Sequence, residues 1–510
     1  MKGCQDQITQ QRNREIFQRC GSLLVLLLAW CGVASAQHWV AATPFPGSGA
    51  GTAILLTNGG VLVEEVSGPS ASGGSGTGNW YVLFPDATGN YSAGSWGGPV
   101  SSASFGYAPH YFGSAVLPDG RVVIMGGEYN FGVLDDTTLG AIFDPNSGTF
   151  TFVLSPPAGW STIGDGPTVV RANGRLMIGD CCSKKQALFD AKTLTWSSTG
   201  GGKADNNSEE GWTLLPASTG NEVLTVDTQN GTESELFDPS TATWSLAGKL
   251  PLGIAYNCGK HIVPELGPAV LRPNGTVFVA GANGETAIYN SSTKKWSKGP
   301  IFPPNSAGLG QDGVADGPAA LLPDGNVLVQ ASNINPCFIP PSDYFEFNGS
   351  KFIAVPGPPN APNEASFDGR MLVLPSGGHI LHTDGTTDVE IYVPKGSAKS
   401  SWAPTITSFP TTITEGKTYT FKGTQLNGMS QGAAYGDDAQ MATNFPLVRL
   451  SIGGFTYYLP TKNFSSMGVQ TGTTVVSAQF TLPFFVGKGP ATAVVVANGI
   501  ASSSVSLTVK

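Results

Sequence analysis

The sequence, 510 residues long, predicts an all-β fold, and three observations carry that expectation. Its 68 glycines and 37 prolines fall between short Val/Leu/Ile runs, and tight turns between short apolar runs belong to strands rather than helices. One pattern, an apolar strand, a Pro-Asp/Asn-Gly turn and a second apolar strand, recurs along the chain. An aromatic–Asp/Asn segment and a Thr-x-x-Trp segment follow several of its copies, so the recurring unit holds four strands.

The first copy begins at Ala53 (AILLTNGGVLVEE) and the second at Ala115 (AVLPDGRVVIMGG). Others begin at Val169, Thr213, Ala269, Ala320 and Leu372, the one at Thr213 with a longer turn. Their turn glycines are Gly59, Gly120, Gly174, Gly220, Gly275, Gly325 and Gly377, spaced 46 to 61 residues apart. A period near 50 residues is that of a Kelch propeller blade, a four-stranded antiparallel sheet. Glycine suits the turn because a tight hairpin needs positive φ at its centre. Seven copies predict a seven-bladed Kelch-type β-propeller over residues 37–402. The last copy stops after its third strand near Tyr392, while His38-Trp39-Val40 resembles an outer strand. The N-terminal segment is therefore expected to complete the last blade, which removes an exposed break in the ring.

Flanking segments differ in kind. Arg12, Arg14 and Arg19, an apolar run over 23–30 and Ala34-Ser35-Ala36 follow the order of a secretory signal. Residues 1–36 are therefore expected to be removed, leaving a secreted or periplasmic protein. The apolar run is too short for a stable membrane span. From 403 to 510 the pattern turns to simple alternation with Gly/Pro/Asn punctuation, which suggests an immunoglobulin-like β-sandwich. A net charge of -9 and no basic cluster in the folded region exclude nucleic acid as a partner. A monomer is expected.

Cysteine usage agrees with an oxidising compartment. Of seven cysteines, four lie beyond the leader: Cys181, Cys182, Cys258 and Cys337. The pairing Cys258–Cys337 is favoured because both fall in loops on one face of the propeller, leaving adjacent Cys181 and Cys182 for a vicinal bridge. Buried free thiols are the alternative. No Cys/His spacing for zinc is present.

The leader, the repeat, the C-terminal alternating domain and the stretch YGDDAQMATNFPLVRL from Tyr435 together resemble the galactose oxidase and glyoxal oxidase group. They are similar in particular to exported bacterial Kelch-repeat proteins that share that stretch. In the oxidases the resemblance implies one copper ion held by two Tyr and two His, one Tyr being cross-linked to a Cys. Fold does not carry such an activity without its ligands. Here Asp165 stands at the Cys position, Phe367-Asp368 at the Tyr-His pair, and Gln440 at the second His. Copper is therefore not expected.

The same offset, applied to every repeat, marks the residues that ring the channel mouth: Ala50, Tyr111, Asp165, Glu209, Leu266, Asp316 and Asp368, with Glu210 and Glu265 as neighbours. Carboxylates crowded at one mouth raise each other's pKa unless something compensates. Calcium held by Asp165, Asp316 and Asp368 is one compensator, and a polyol or sugar is another. Capping of backbone N–H groups is a purely structural role for the same side chains. Asp437 and Asp438 read the same way, as a turn or as site groups. The expected ligand-binding set is thus Tyr111, Asp165, Glu209, Glu210, Glu265, Asp316, Asp368 and Gln440, holding a glycan, surface polymer or protein partner without catalysis. The alternative is a divergent oxidase or a carboxylate-based carbohydrate-active enzyme, in which two carboxyls about 5–10 Å apart do acid/base work. Trp196, Trp244 and Trp296 are expected to pack blade against blade.

Overall fold

The computed structural model describes residues 37–152, 159–258, 264–436 and 441–510. Within it, His38–Lys510 forms one compact unit. Among the described residues no helix is long and apolar enough to cross a membrane.

The first five repeats each fold into a four-stranded antiparallel sheet whose strands follow chain order, while the sixth gains extra strands and the seventh supplies only three of its own. The first runs Ala50–Leu55, Val61–Val66, Gly76–Phe84 and Ser95–Ser101. Its two innermost strands are buried along their whole length, as a strand covered on both faces requires. The turn glycines Gly59, Gly120, Gly174, Gly220, Gly275, Gly325 and Gly377 all have φ between 74° and 93°. That is the left-handed region that a residue with Cβ occupies only at a cost.

Successive sheets touch through their first strands. Gly113–Val116 lies against Thr168–Val170, and the contacts continue through Thr213–Leu214, Ala269–Leu271 and Ala319–Leu321 to Arg370–Val373. Arg370–Val373 then meets Ala50–Leu55, and the outer strands Ser95–Ser101 and Thr149–Phe152 meet across the remaining seam. The sheets close on themselves as a β-propeller. The sheet of Arg370–Val373, Ile380–Thr383 and Val389–Val393 takes its outer strand from His38–Ala41, with Trp39 opposite Tyr392. The segment His38–Ala41 and the end of the repeat are therefore bonded to each other.

The outer-strand tryptophans are packing groups. Trp196, Trp244 and Trp296 lie 4.9, 5.4 and 5.0 Å from Phe189, Phe237 and Tyr289 respectively, ring centre to ring centre. Trp296 also donates its Nε1–H to Ser234 of the preceding sheet at 2.8 Å.

The C-terminal part has two sheets. One holds Thr405–Ser408, Thr418–Thr424, Val475–Thr481 and Thr461–Lys462; the other centres on Leu447–Ile452, Gly489–Ala497 and Val505–Val509. Phe409, Phe421 and Phe480 stack together on the first of these sheets. One strand leaves this part altogether: Ala433–Ala434 pairs with Ala319 and Ala320, the innermost strand of a propeller sheet. Nearby, Gln431 Oε1 accepts the backbone N–H of Leu214 at 2.8 Å. The C-terminal part thus sends a finger along the propeller's inner wall, and Tyr435, just past its strand, is fully buried.

Candidate functional site: an acidic, aromatic-walled cavity

The positions marked by the repeat sit just before, or at the head of, an innermost strand. Tyr111, Glu209 and Asp316 have φ of 51°, 56° and 42°, left-handed values that are uncommon outside glycine. Such strain concentrates where a fold over-determines the backbone, functional sites included. Hydrogen bonds hold two of the acidic positions together. Asp316 N–H donates to Leu266 O at 3.3 Å, and Glu265 exchanges two backbone bonds with Tyr256 at 2.8 and 3.0 Å.

These residues open onto a cavity of about 560 Å³. Tyr111, Asp165, Glu209, Glu265 and Asp316 line it, joined by Glu128, Tyr129, His110, Phe338 and Phe367. Carboxylate oxygens of Glu209, Glu265 and Asp316 lie within 4.8 Å of one another. Three carboxyl groups so close, with aromatic rings in the same lining, make a concave surface that accepts hydrogen bonds and repels anions. Burial raises the Tyr111 phenol, against the lowering pull of Arg370. Burial and the adjacent Glu128 raise Tyr129 as well. Both phenols therefore keep their protons at neutral pH and can donate.

Behind the cavity wall Arg370 packs against two rings. Its guanidinium carbon sits 3.6 Å from the ring centre of Tyr435 and 5.4 Å from that of Tyr111. The two tyrosines stack with centres 6.2 Å apart, and Tyr435 donates its hydroxyl to Phe367 O at 2.8 Å. Tyr435 thereby ties the walls contributed by Tyr111 and Phe367.

Two expected residues stand elsewhere. Glu210 is fully buried and faces Lys203 at 2.9 Å, because the turn at Ser208–Glu209, with Glu209 in the left-handed region, sends the two side chains apart. Asp368 is 6% exposed and its carboxylate accepts the N–H of Ala71 at 3.0 Å, a capping role, while its neighbour Phe367 takes the place on the cavity. Asp165, Asp316 and Asp368 therefore do not form one cation-holding group; the oxygens that converge belong to Glu209, Glu265 and Asp316. Gln440, Asp437 and Asp438 lie outside the described residues.

Burial raises Asp368 to about 6, opposed by the Ala71 N–H. A carboxyl whose folded pKa lies above its unfolded value stabilises most below the unfolded value, near 4, and loses that contribution as pH rises through the folded one. Asp368→Asn keeps an acceptor for Ala71 and removes the titration. Its stability should vary less between pH 4 and 6 than that of the native chain, measured by urea denaturation at each pH. An unchanged slope would assign the titration to another group.

Neither disulfide involves a rearranged partner: Cys258 bonds Cys337, with Cα atoms 5.5 Å apart, and Cys181 bonds Cys182. Cys258 and Cys337 both line the cavity. His110, which lines the cavity, is engaged by protein groups. His110 Nδ1 is 3.3 Å from Glu64 and its Nε2 2.8 Å from Ser70. His382 is fully buried, 3.0 Å from Glu364. The repeat offset missed Glu128 and Tyr129, which come from an extra hairpin of Tyr129–Asn130 and Val133–Leu134 inserted between strands of the second repeat. The only sequence signal for it is the longer segment after Gly126.

Fold and cavity together define a β-propeller protein whose mouth is acidic and aromatic-walled. No protein-family model and no curated protein matches the chain. Among solved structures it is similar to selenomethionine-substituted virginiamycin B lyase from Staphylococcus aureus, with TM-score 0.47 and 8% identity over 70% of this chain and 99% of that one. A streptogramin B lyase structure gives TM-score 0.44 and 10% identity over 70% of this chain and 97% of its own. Neither name says anything of the chemistry of this cavity.

Proposed function

We propose that the chain is an exported, seven-bladed Kelch-type propeller with an immunoglobulin-like C-terminal sandwich, and that it holds a glycan at its mouth without transforming it. The observation that carries the reading is the convergence of Glu209, Glu265 and Asp316 within 4.8 Å, in a cavity of about 560 Å³ that also presents Tyr111, Tyr129 and Phe367. Sugar hydroxyls are donors, and a cluster of carboxylates accepts several at once in charge-assisted bonds. The C–H faces of a sugar ring carry slight positive charge and suit the negative faces of aromatic side chains. A cavity of this size lies within the range that encloses small ligands. Phosphorylated or carboxylated ligands fit poorly, because the lining adds like charge.

The test is glycan-array screening of the mature chain followed by calorimetric titration of whatever binds. Glu209→Gln should weaken binding by about 10-fold or more, the cost of losing one charge-assisted bond of roughly 1.5–3 kcal/mol. Absence of binding to every glycan class by the native chain would refute the reading. A hydrolytic reading draws on the same trio, since retaining glycosidases place two carboxyls about 5–5.5 Å apart. Release of reducing ends from a bound glycan, abolished by Glu265→Gln, would move the assignment from binding to hydrolysis.

A further inference from the structure

One residue past Glu209 the chain enters a second charged cluster, shut away from the mouth. Lys203 Nζ lies 2.7 Å from Asp205, 2.9 Å from Glu210, 2.5 Å from Glu235 and 4.0 Å from Asp227. None of these side chains is more than 5% exposed. One ammonium therefore faces four buried carboxyl groups. Glu235 is well used, accepting also the N–H of Ala204 at 2.8 Å, and Glu210 accepts the hydroxyl of Thr225 at 3.1 Å. Asp227 is not: it is fully buried, and neither of its oxygens receives a hydrogen bond. Asp205 Oδ2 is in the same position. Oxygens of Asp205, Glu210 and Asp227 lie within 4.8 Å of one another.

We propose that Asp205, Glu210 and Asp227 form a structural site for one hard divalent cation of the calcium class, set beside Lys203. Calcium–oxygen distances of about 2.3–2.6 Å put any two ligands of one ion at most about 5 Å apart, which the three carboxylates satisfy. Water could fill the space and donate to the orphaned oxygens, but it brings no charge. A proton neutralises one carboxyl and leaves the other orphans unserved. A divalent ion does both, reducing the cluster's formal excess from three negative charges to one. Magnesium fits less well, because it gives up its water reluctantly and this site is fully enclosed. An ion gripping Glu210 would also brace Glu209, whose left-handed backbone aims it into the cavity.

The protein is stripped with a chelator and titrated with calcium chloride by calorimetry, and separately with terbium, which calcium-class sites accept. Trp244, whose ring centre is 5.7 Å from Lys203 Nζ, should sensitise terbium emission. The expected result is uptake of one ion per chain and a rise in Tm of several degrees on calcium addition. Uptake should persist in a mouth variant carrying Glu209→Gln and Asp316→Asn, and be lost in Asp227→Asn and in Asp205→Asn. Trp244→Phe should lower terbium emission severalfold while calcium uptake continues. No uptake by the native chain overturns the proposal, as does uptake that survives both aspartate substitutions and disappears in the mouth variant. Should an aspartate variant fail to fold, the Trp244→Phe emission decides the location: unchanged emission overturns it.

Discussion

Replacing Lys203 by methionine should destabilise the chain by about 3–5 kcal/mol, the cost of leaving buried carboxylates without their cation. The side chain is 1% exposed and is the one ammonium within 4.0 Å of Asp205, Glu210, Asp227 and Glu235 among the described residues. Methionine keeps the length and the packing over Trp244, so the loss reports on charge. Urea denaturation measures it, with Lys298→Met as the control. Lys298 also sits 3.0 Å from a carboxylate, Glu285, but its side chain is 51% exposed. Solvent screening holds such a pair to about 0–1 kcal/mol. Equal effects from the two substitutions would mean that Lys203 is not the charge that holds this cluster together.

Removing the Cys258–Cys337 bridge should cost a similar amount by a different route. It closes a loop of 79 residues, and on the chain-entropy account a loop of that length contributes about 4–5 kcal/mol by restricting the unfolded chain. Cys258→Ser with Cys337→Ser should lower the urea midpoint accordingly. Because both cysteines line the cavity beside Glu265 and Phe338, glycan binding should weaken in the same variant, even where it remains folded. The vicinal pair Cys181–Cys182 closes no loop of consequence, so its removal should leave the midpoint nearly unchanged. A midpoint insensitive to the long-range bridge would show that the propeller ring alone holds those loops.

The repeat made much of this architecture legible. Seven Gly-centred turns at near-constant spacing are a local code, since positive φ at a hairpin centre depends on the turn residues themselves. The pairing of His38–Ala41 with Val389–Val393 was legible for a related reason: a missing outer strand at one end of the repeat and a spare one at the other can only satisfy each other. The repeat also located Tyr111, Asp165, Glu209 and Asp316 on one cavity, because equivalent positions in equivalent blades face the same axis.

What sequence alone determined, then, is the repeating sheet, its closure and an acidic mouth. Only the tertiary structure decided which acids belong to that mouth. Glu209 and Glu210 are indistinguishable as letters, yet one faces the cavity and the other a buried lysine, because the left-handed turn at Glu209 parts the two side chains and packing fixes which goes where. Asp368 occupies the same repeat position as Asp316, but a short 3-10 turn over Ser366–Asp368 turns it toward Ala71 and gives its place to Phe367. Lys203 and Asp205 come from a loop, Asp227 from just past the strand Val223–Val226 and Glu235 from the strand Glu233–Asp238, and together they carry no motif at all. Their meeting depends on distances in space, which no spacing along the chain encodes.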